Sequence, residues 1–179
     1  MYYHRSLENV LPGVSEQFPV LLLTGPRQVG KTTLLRYLCG EERRYVTLDD
    51  PALRNLATED PELFLQQYHP PVLIDEVQYA PGLLPYIKVH VDNTGTPGAF
   101  WLTGSQQFHM MKNVSESLAG RVAIVNLLGF SRREQEERTQ SCEPFLPTVS
   151  HVNRRMETAG TTTLDTLYDV IWALSLIHI

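Results

Sequence analysis

The residues best suited to chemistry form a glycine-rich segment near the N-terminus: Gly25, Pro26, Arg27, Gln28, Val29, Gly30, Lys31 and Thr32, followed by Thr33. This segment matches the pattern G-x-x-x-x-G-K-[ST] at every fixed position. Glycines let a backbone fold around phosphate groups, and successive N–H groups at the start of a helix supply positive potential. Lys31 would reach the β- and γ-phosphates of a nucleotide and assist catalysis, while the Thr32 hydroxyl would bind Mg²⁺. The spacing therefore predicts a phosphate-binding loop, the P-loop, over residues 25–33.

The acidic pair Asp75-Glu76 follows a short apolar run, residues 72–74. A hard cation favours oxygen ligands, so Asp75 would hold Mg²⁺ directly or through a water molecule. Glu76 would orient and polarise an attacking water. The plainer alternative is that the two acids merely end a strand, but the P-loop upstream favours the catalytic interpretation.

A third candidate is Ser105, which ends the segment Trp101-Leu102-Thr103-Gly104-Ser105. Its hydroxyl could sense the γ-phosphate or hold the attacking water between the nucleotide and Glu76. Serine hydroxyls also cap helices, so a strand-to-helix turn with Ser105 as N-cap is an equal alternative. Gln106 is a weaker candidate for the same role.

The fourth candidate is Arg121, which ends the segment Leu118-Ala119-Gly120-Arg121. A planar guanidinium could neutralise charge that develops on a transferred phosphoryl group, either from this subunit or from a neighbouring one. Arginines form surface ion pairs routinely, and that alternative stays open. Arg27, inside the P-loop, carries the same two interpretations.

Apolar runs of strand length alternate with helical segments along the chain, which is typical of a parallel α/β sheet. We predict five strands, at residues 20–24, 44–48, 71–74, 99–103 and 122–127. A helix is predicted to start at Lys31, directly after the P-loop, and Asp50 is predicted to cap another helix that begins with Pro51. The acidic pair then lies at the carboxyl end of the third strand.

Composition limits the classes of protein that fit the chain. At 179 residues it can form a sizeable core, and its formal net charge of −5 gives no general attraction to nucleic acid or anionic lipid. Cys39 and Cys142 lack metal-ligand spacing and indicate free thiols in a reducing cytoplasm. The longest apolar stretch, residues 170–179, is half of the roughly 20 residues that a membrane-spanning helix needs. No membrane association and a cytoplasmic location are therefore expected.

The composition changes after Phe130, where a charged run gives way to a polar, weakly periodic segment. We therefore predict a P-loop ATPase domain at residues 1–131 and the incomplete start of a lid or C-terminal region at 132–173. The last six residues, LSLIHI, resemble a translated transposon end of the kind used in sequencing libraries. Residues 174–179 are therefore predicted to be a non-native tail, with a natural apolar end as the alternative.

The motifs GPRQVGKTTLL, VLIDEVQ, LTGSQ and SLAGR, in this order, resemble those of a widespread group of bacterial and archaeal predicted AAA+ superfamily ATPases. Proteins of that group carry an AAA domain followed by a C-terminal domain of uncharacterised function. The resemblance implies a three-layer α/β sandwich of the P-loop NTPase class, ASCE/AAA+ type, with a mostly parallel five-stranded sheet in the order 5-1-4-3-2. It also implies ATP rather than GTP, and allows homo-oligomerisation.

Three functions are compatible with these residues. The first is an ATPase that hydrolyses ATP to ADP and phosphate with Mg²⁺ and works as a motor or switch. The second is a nucleotide-binding regulatory module with negligible hydrolysis, and the third is a P-loop kinase, for which no acceptor-binding lid stands out. The sequence does not reveal which nucleic acid or protein partner a missing C-terminal domain would bind.

Overall fold

The structure is a computed structural model, and it describes residues 2–41, 43–105, 114, 116–135, 137, 147–158 and 160–176. Contacts divide the chain into two compact units. One unit is Leu7–Leu128, and the other combines Met1–Ser6 with Gly129–Ile179. The domain limits stated above, at residues 131 and 173, remain a prediction.

The Leu7–Leu128 unit is built on a five-stranded sheet. Its strands are β1 Val20–Gly25, β2 Arg44–Thr47, β3 Val72–Asp75, β4 Phe100–Ser105 and β5 Val122–Asn126. They lie in the order β2-β3-β4-β1-β5, and every neighbouring pair is parallel. The order 5-1-4-3-2 implied by the resemblance is therefore confirmed, including the extra strand between the one that precedes the P-loop and the one that ends in Asp75.

Helices cover both faces of this sheet, which accounts for its nearly continuous apolar strands. Alternate residues of β1 point to opposite faces: Val20 and Leu22 pack in one core cluster, Leu21 and Leu23 in the other. The first cluster includes helical residues Ala57, Phe64, Leu83 and Ile87. The second includes Leu11, Leu34 and Leu35. The unit is thus a three-layer sandwich, as predicted.

Two helices of this unit begin at clear capping signals. The helices include α1 Leu11–Ser15, α2 Lys31–Leu38, α3 Pro51–Glu59, α4 Pro61–Gln67 and α5 Leu83–Thr94, and 3-10 turns are found at Ser6–Asn9 and Val77–Tyr79. Asp50 caps α3, since its carboxylate accepts from Ala52 N at 2.8 Å, and Asp60 caps α4 by accepting from Leu63 N at 2.9 Å. The cap predicted at Asp50 is confirmed.

The second unit contains α6 Arg132–Gln135, α7 Val149–Thr158 and α8 Leu164–Leu176. The buried carboxylate of Glu134 accepts from Arg5 Nε at 3.2 Å, Ser6 N at 2.8 Å and Ser131 N at 2.7 Å. Burial raises the pKa of Glu134, but these donors outweigh it and the net pKa is lowered. The N-terminal residues are thereby tied to the segment that contains α6.

Helix α8 includes the first three residues of the suspected non-native tail, and residues 177–179 lie outside the described part. Within the described residues, every helix is too short or too polar to traverse a lipid bilayer.

Candidate functional site

The P-loop connects the carboxyl end of β1 to the start of α2, and its backbone takes conformations that favour glycine. Gly25 has φ 148° and Gly30 has φ 89°, while Gln28 is left-handed with φ 63°. A Cβ on Gly25 would lie 2.1 Å from Leu127 O. Only glycine fits at Gly25, so the loop conformation depends on residue type as well as on spacing.

Lys31 is buried, with 6% of its surface exposed. Its Nζ donates to Pro26 O at 2.7 Å and to Gly25 O at 3.2 Å, so the ammonium group is held inside the curve of the P-loop. Burial lowers the pKa of Lys31, and the nearby carboxylates of Glu76 and Asp75 partly offset this effect.

Asp75, the last residue of β3, is surrounded by hydroxyl groups. One carboxylate oxygen accepts from Thr32 Oγ1 at 2.6 Å and from Thr103 Oγ1. The other accepts from Tyr45 OH at 3.2 Å and, at 3.5 Å, from Thr47 Oγ1. All four donors are neutral, so they orient the carboxylate without cancelling its charge. Burial raises the pKa of Tyr45, as does the charge of Asp75, so this donor keeps its proton at neutral pH.

Glu76 follows Asp75 in a left-handed conformation, with φ 59° and ψ 45°. Such a backbone is uncommon for a residue with a side chain and requires support from its surroundings. Its N–H donates to Thr103 Oγ1 at 3.0 Å, and its carboxylate accepts from the side-chain amide of Gln78. Thr103 therefore bonds to the carboxylate of Asp75 and to the backbone N–H of Glu76.

These parts meet in one cleft of about 470 Å³ at the carboxyl edge of the sheet. It is lined by Arg27, Gln28, Gly30, Lys31, Thr32, Thr33, Asp49, Glu76 and Tyr79. The structure thus brings together the P-loop and Glu76, and Asp75 accepts a hydrogen bond from Thr32 of the P-loop. Pro26 and Val29 complete the P-loop, and Val29 is buried.

Several residues of this site were given no role in the sequence interpretation, although Thr103 belongs to the segment that ends in Ser105. Tyr45, Thr47 and Thr103 bond to Asp75, while Asp49 and Tyr79 line the cleft. The available signal was their position, because they lie near the carboxyl ends of β2, β3 and β4. In a parallel sheet these ends meet at one edge.

Ser105 is the last residue of β4 and pairs in register with Gly25, the first residue of the P-loop. Its Oγ is buried and has no hydrogen-bond partner among the described residues. This placement brings Ser105 to the P-loop. Its role as a sensor or as a helix cap remains a prediction, and Gln106 lies outside the described residues.

Arg121 lies elsewhere. It precedes β5, and its carbonyl accepts from Val20 N at 3.2 Å, at the amino end of β1. Its guanidinium forms an ion pair with Asp92 of α5 and donates to Ala119 O at 2.9 Å. Because the P-loop follows the carboxyl end of β1, Arg121 is at the opposite edge of the sheet. Arg121 therefore lies away from the cleft, and its catalytic role, within its own subunit or toward a neighbouring one, remains a prediction.

The residues of the cleft fit a nucleotide and a divalent cation by their chemistry. The Thr32 hydroxyl and the Asp75 carboxylate are adjacent oxygen donors, the ligand type that Mg²⁺ prefers. Gly30, the N-cap of α2, is left-handed and makes no side-chain cap at the start of this helix, the kind of helix end that binds anions.

Comparison with known proteins identifies the family of this chain. Residues 17–136 match a family model described as AAA domain. The chain belongs to this AAA domain family. Together with the sheet order, this makes it an AAA-type P-loop NTPase, a class whose members bind nucleotides.

Two curated relatives are similar over part of their length. An uncharacterized protein of Mycobacterium bovis and one of Mycobacterium tuberculosis are each 42% identical over 117 residues, which is 65% of this chain. The match covers 26% of each relative, so the chain spans about a quarter of the length of these proteins. The C-terminal domain implied by the resemblance remains a prediction.

A solved structure shows the same fold. The Walker-type ATPase PABY2304 of Pyrococcus abyssi has a TM-score of 0.52 and 20% identity. The alignment covers 90% of this chain and 60% of that protein.

Proposed function

We propose that this chain binds ATP with Mg²⁺ and hydrolyses it to ADP and phosphate, as an AAA+-like motor or switch. The observation that carries the proposal is the shared cleft, which Glu76 lines together with Lys31 and Thr32 at the carboxyl edge of the sheet. A nucleophile held by Glu76 would meet the terminal phosphate of a nucleotide held by the P-loop.

Binding rests on residues 25–33. The P-loop N–H groups and the start of α2 bind the phosphates, and Lys31 exchanges its present carbonyl acceptors for phosphate oxygens. This exchange is favourable because a charged oxygen is a stronger acceptor than a neutral carbonyl.

The metal would be held by Thr32 and Asp75, whose oxygens lie 2.6 Å apart. Mg²⁺ held there would supply positive charge that offsets the charge of the phosphates. The hydroxyl shell around Asp75 orients its carboxylate and leaves its negative charge available to the cation.

Glu76 would act as the base for the hydrolytic step. The oxygen of a water molecule bonds to the γ-phosphorus, the bond from that phosphorus to the β–γ bridging oxygen breaks, and ADP leaves with the electron pair. The carboxylate of Glu76 takes the proton of the water. The buried Ser105 hydroxyl is suited to orient the same water or to detect the γ-phosphate.

The placement of Arg121 favours a second candidate, a nucleotide-binding regulatory module with negligible hydrolysis. P-loop ATPases often depend on an arginine that stabilises the charge of the transition state. Arg121 is paired with Asp92 away from the cleft, so Arg27 of the P-loop, a neighbouring subunit or a further domain would have to supply this group.

The substitution Glu76→Gln separates these functions. We expect it to keep ATP affinity within about twofold and to lower turnover at least about 100-fold, because the amide retains the shape but cannot accept the proton. Calorimetry would measure binding, and phosphate release would measure turnover. Glu62→Gln, an exposed site on α4, is the matched control.

Phosphate release by Glu76→Gln at the wild-type rate would refute the assignment of Glu76. Wild-type protein that binds ATP but releases no more phosphate than Glu76→Gln would favour the regulatory module.

A further inference from the structure

We propose that Gln78 is a positioning residue, which holds the carboxylate of Glu76 toward the P-loop cleft by donating a side-chain amide N–H to it. The proposal deepens the hydrolytic function stated above and rests on it. It assigns a role to a side chain outside the P-loop and outside the acidic pair.

The contact carries the argument. Gln78 Nε2 donates to Glu76 Oε2, and among the described residues it is the hydrogen-bond donor that reaches this carboxylate. The amide nitrogen, and not the amide oxygen, must face Glu76, because two acceptors would repel each other. One oxygen of Glu76 is thereby fixed, and the other stays available to a water molecule.

The backbone of Gln78 is held in place from both ends of the Val77–Tyr79 turn. Val77 is 1% exposed in the core. Tyr79 N donates to Glu76 O at 3.1 Å and Ala80 N donates to Val77 O at 3.1 Å. The Gln78 side chain therefore starts from a rigid turn and reaches the carboxylate two residues earlier.

The chemical type of Gln78 suits this role. A lysine or arginine at this position would cancel the charge of Glu76 and weaken it as a base, whereas a neutral amide orients the carboxylate and leaves that charge in place. Thr103 holds only the backbone N–H of Glu76 and leaves its side-chain torsions free. The carboxylate of Glu76 therefore needs a separate contact to fix its direction.

The test compares Gln78→Ala and Gln78→Glu with wild type, Glu76→Gln and Gln66→Ala, an exposed control on α4. We expect Gln78→Ala to lower kcat about five- to tenfold, the effect of about one hydrogen bond, with ATP Kd and KM within about twofold. Gln78→Glu should lower kcat at least as much, because it keeps the shape but replaces the donor with a charge that repels Glu76. Gln66→Ala should behave as wild type.

Two results would overturn the role of Gln78 alone. One is wild-type kcat for Gln78→Ala while Glu76→Gln is inactive. The other is a Gln78→Glu variant closer to wild type than Gln78→Ala, since that order would mean that Gln78 only fills space. Wild-type kcat for Glu76→Gln would instead overturn the assignment of Glu76 as the base, and the role of Gln78 with it.

Discussion

Both edges of the sheet contain charged side chains, but their partners differ. At the amino edge Arg121 and Asp92 form a direct ion pair, whereas at the carboxyl edge Lys31 and Asp75 bond to neutral groups. At the amino edge, Arg43 donates to the carbonyl oxygens of Val72 and Ala99 at 3.4 Å and lies 4.2 Å from the ring centre of Trp101. At the carboxyl edge, Lys31 donates to two carbonyls of its own loop, and the nearby carboxylate of Asp75 accepts from neutral hydroxyls.

At the amino edge, the charged groups Arg43, Arg121 and Asp92 already have partners within the protein. Burial lowers the pKa of Arg43 to about 10, so it is still charged at neutral pH, and its carbonyl and aromatic contacts stabilise that charge. Arg121 and Asp92 form a direct ion pair, which lowers the pKa of Asp92 through the hydrogen bond from Arg121. Arg43, Arg121 and Asp92 each have a partner that a ligand would have to displace.

At the carboxyl edge, Lys31, Asp75 and Glu76 bond to neutral groups, so their charges can still attract a ligand. The cation of Lys31 and the anions of Asp75 and Glu76 lie close enough to affect the pKa of Lys31, yet the hydrogen bonds of Lys31 go to backbone carbonyls. Two non-glycine residues with left-handed backbone, Gln28 and Glu76, lie here as well. This difference indicates which edge binds a ligand, and substitutions at both edges can test it.

The largest effect is expected at the carboxyl edge from Lys31→Ala. Loss of two charge-assisted hydrogen bonds to phosphate should weaken ATP binding at least about 100-fold, measured by calorimetry with Mg²⁺. Thermal stability should not fall, because burial disfavours the charged lysine and its removal relieves that cost. Lys88→Ala on α5 is the matched control, and equal ATP binding by both variants would contradict the assignment of the P-loop.

A substantial loss of stability is expected from Gly25→Ala. The new Cβ would meet Leu127 O at 2.1 Å, so the loop or β5 must shift. We expect the free energy of unfolding to fall by about 2–4 kcal/mol, measured by urea denaturation. Gly13→Ala is the control, since nothing lies within 4 Å of its Cβ position. Similar stability for both variants would show that the tight approach at Gly25 can be relieved without cost.

The smallest effect is expected at the amino edge from Arg121→Ala. The ion pair with Asp92 is exposed, so Tm should change by less than about 2 °C. At low protein concentration, where the chain is monomeric, turnover should stay within about twofold of wild type. A loss of turnover that grows with protein concentration would instead support a catalytic arginine supplied by a neighbouring subunit. The amino edge would then take part in catalysis as well.

Sequence motifs were sufficient to predict those parts of the site whose residues all lie in one short segment. The P-loop is such a segment, and so is Asp75-Glu76, because a local strand-turn-helix sequence sets their geometry. Prediction was weaker for element ends. Strand β4 was predicted to end at Thr103 but continues to Ser105, because Gly104 and Ser105 pair with Thr24 and Gly25 of β1.

Contacts between distant segments could not be predicted in this way. Tyr45, Thr47 and Thr103 converge on Asp75 from two other strands. Thr103 belongs to the motif LTGSQ, but no local pattern indicated that any of the three contacts Asp75. Helix α7 was also missed, since its ten residues lie in a polar stretch with weak periodicity.

The amino-acid sequence by itself determined the fold class, the P-loop and the acidic pair, because apolar alternation and glycine spacing are encoded locally. Only the tertiary structure decided what surrounds those groups: the hydroxyl shell of Asp75, the amide that contacts Glu76, and the position of Arg121 at the far edge. The physical reason is that strand order and direction bring together residues that are far apart in the chain, and hydrogen bonds depend on that proximity.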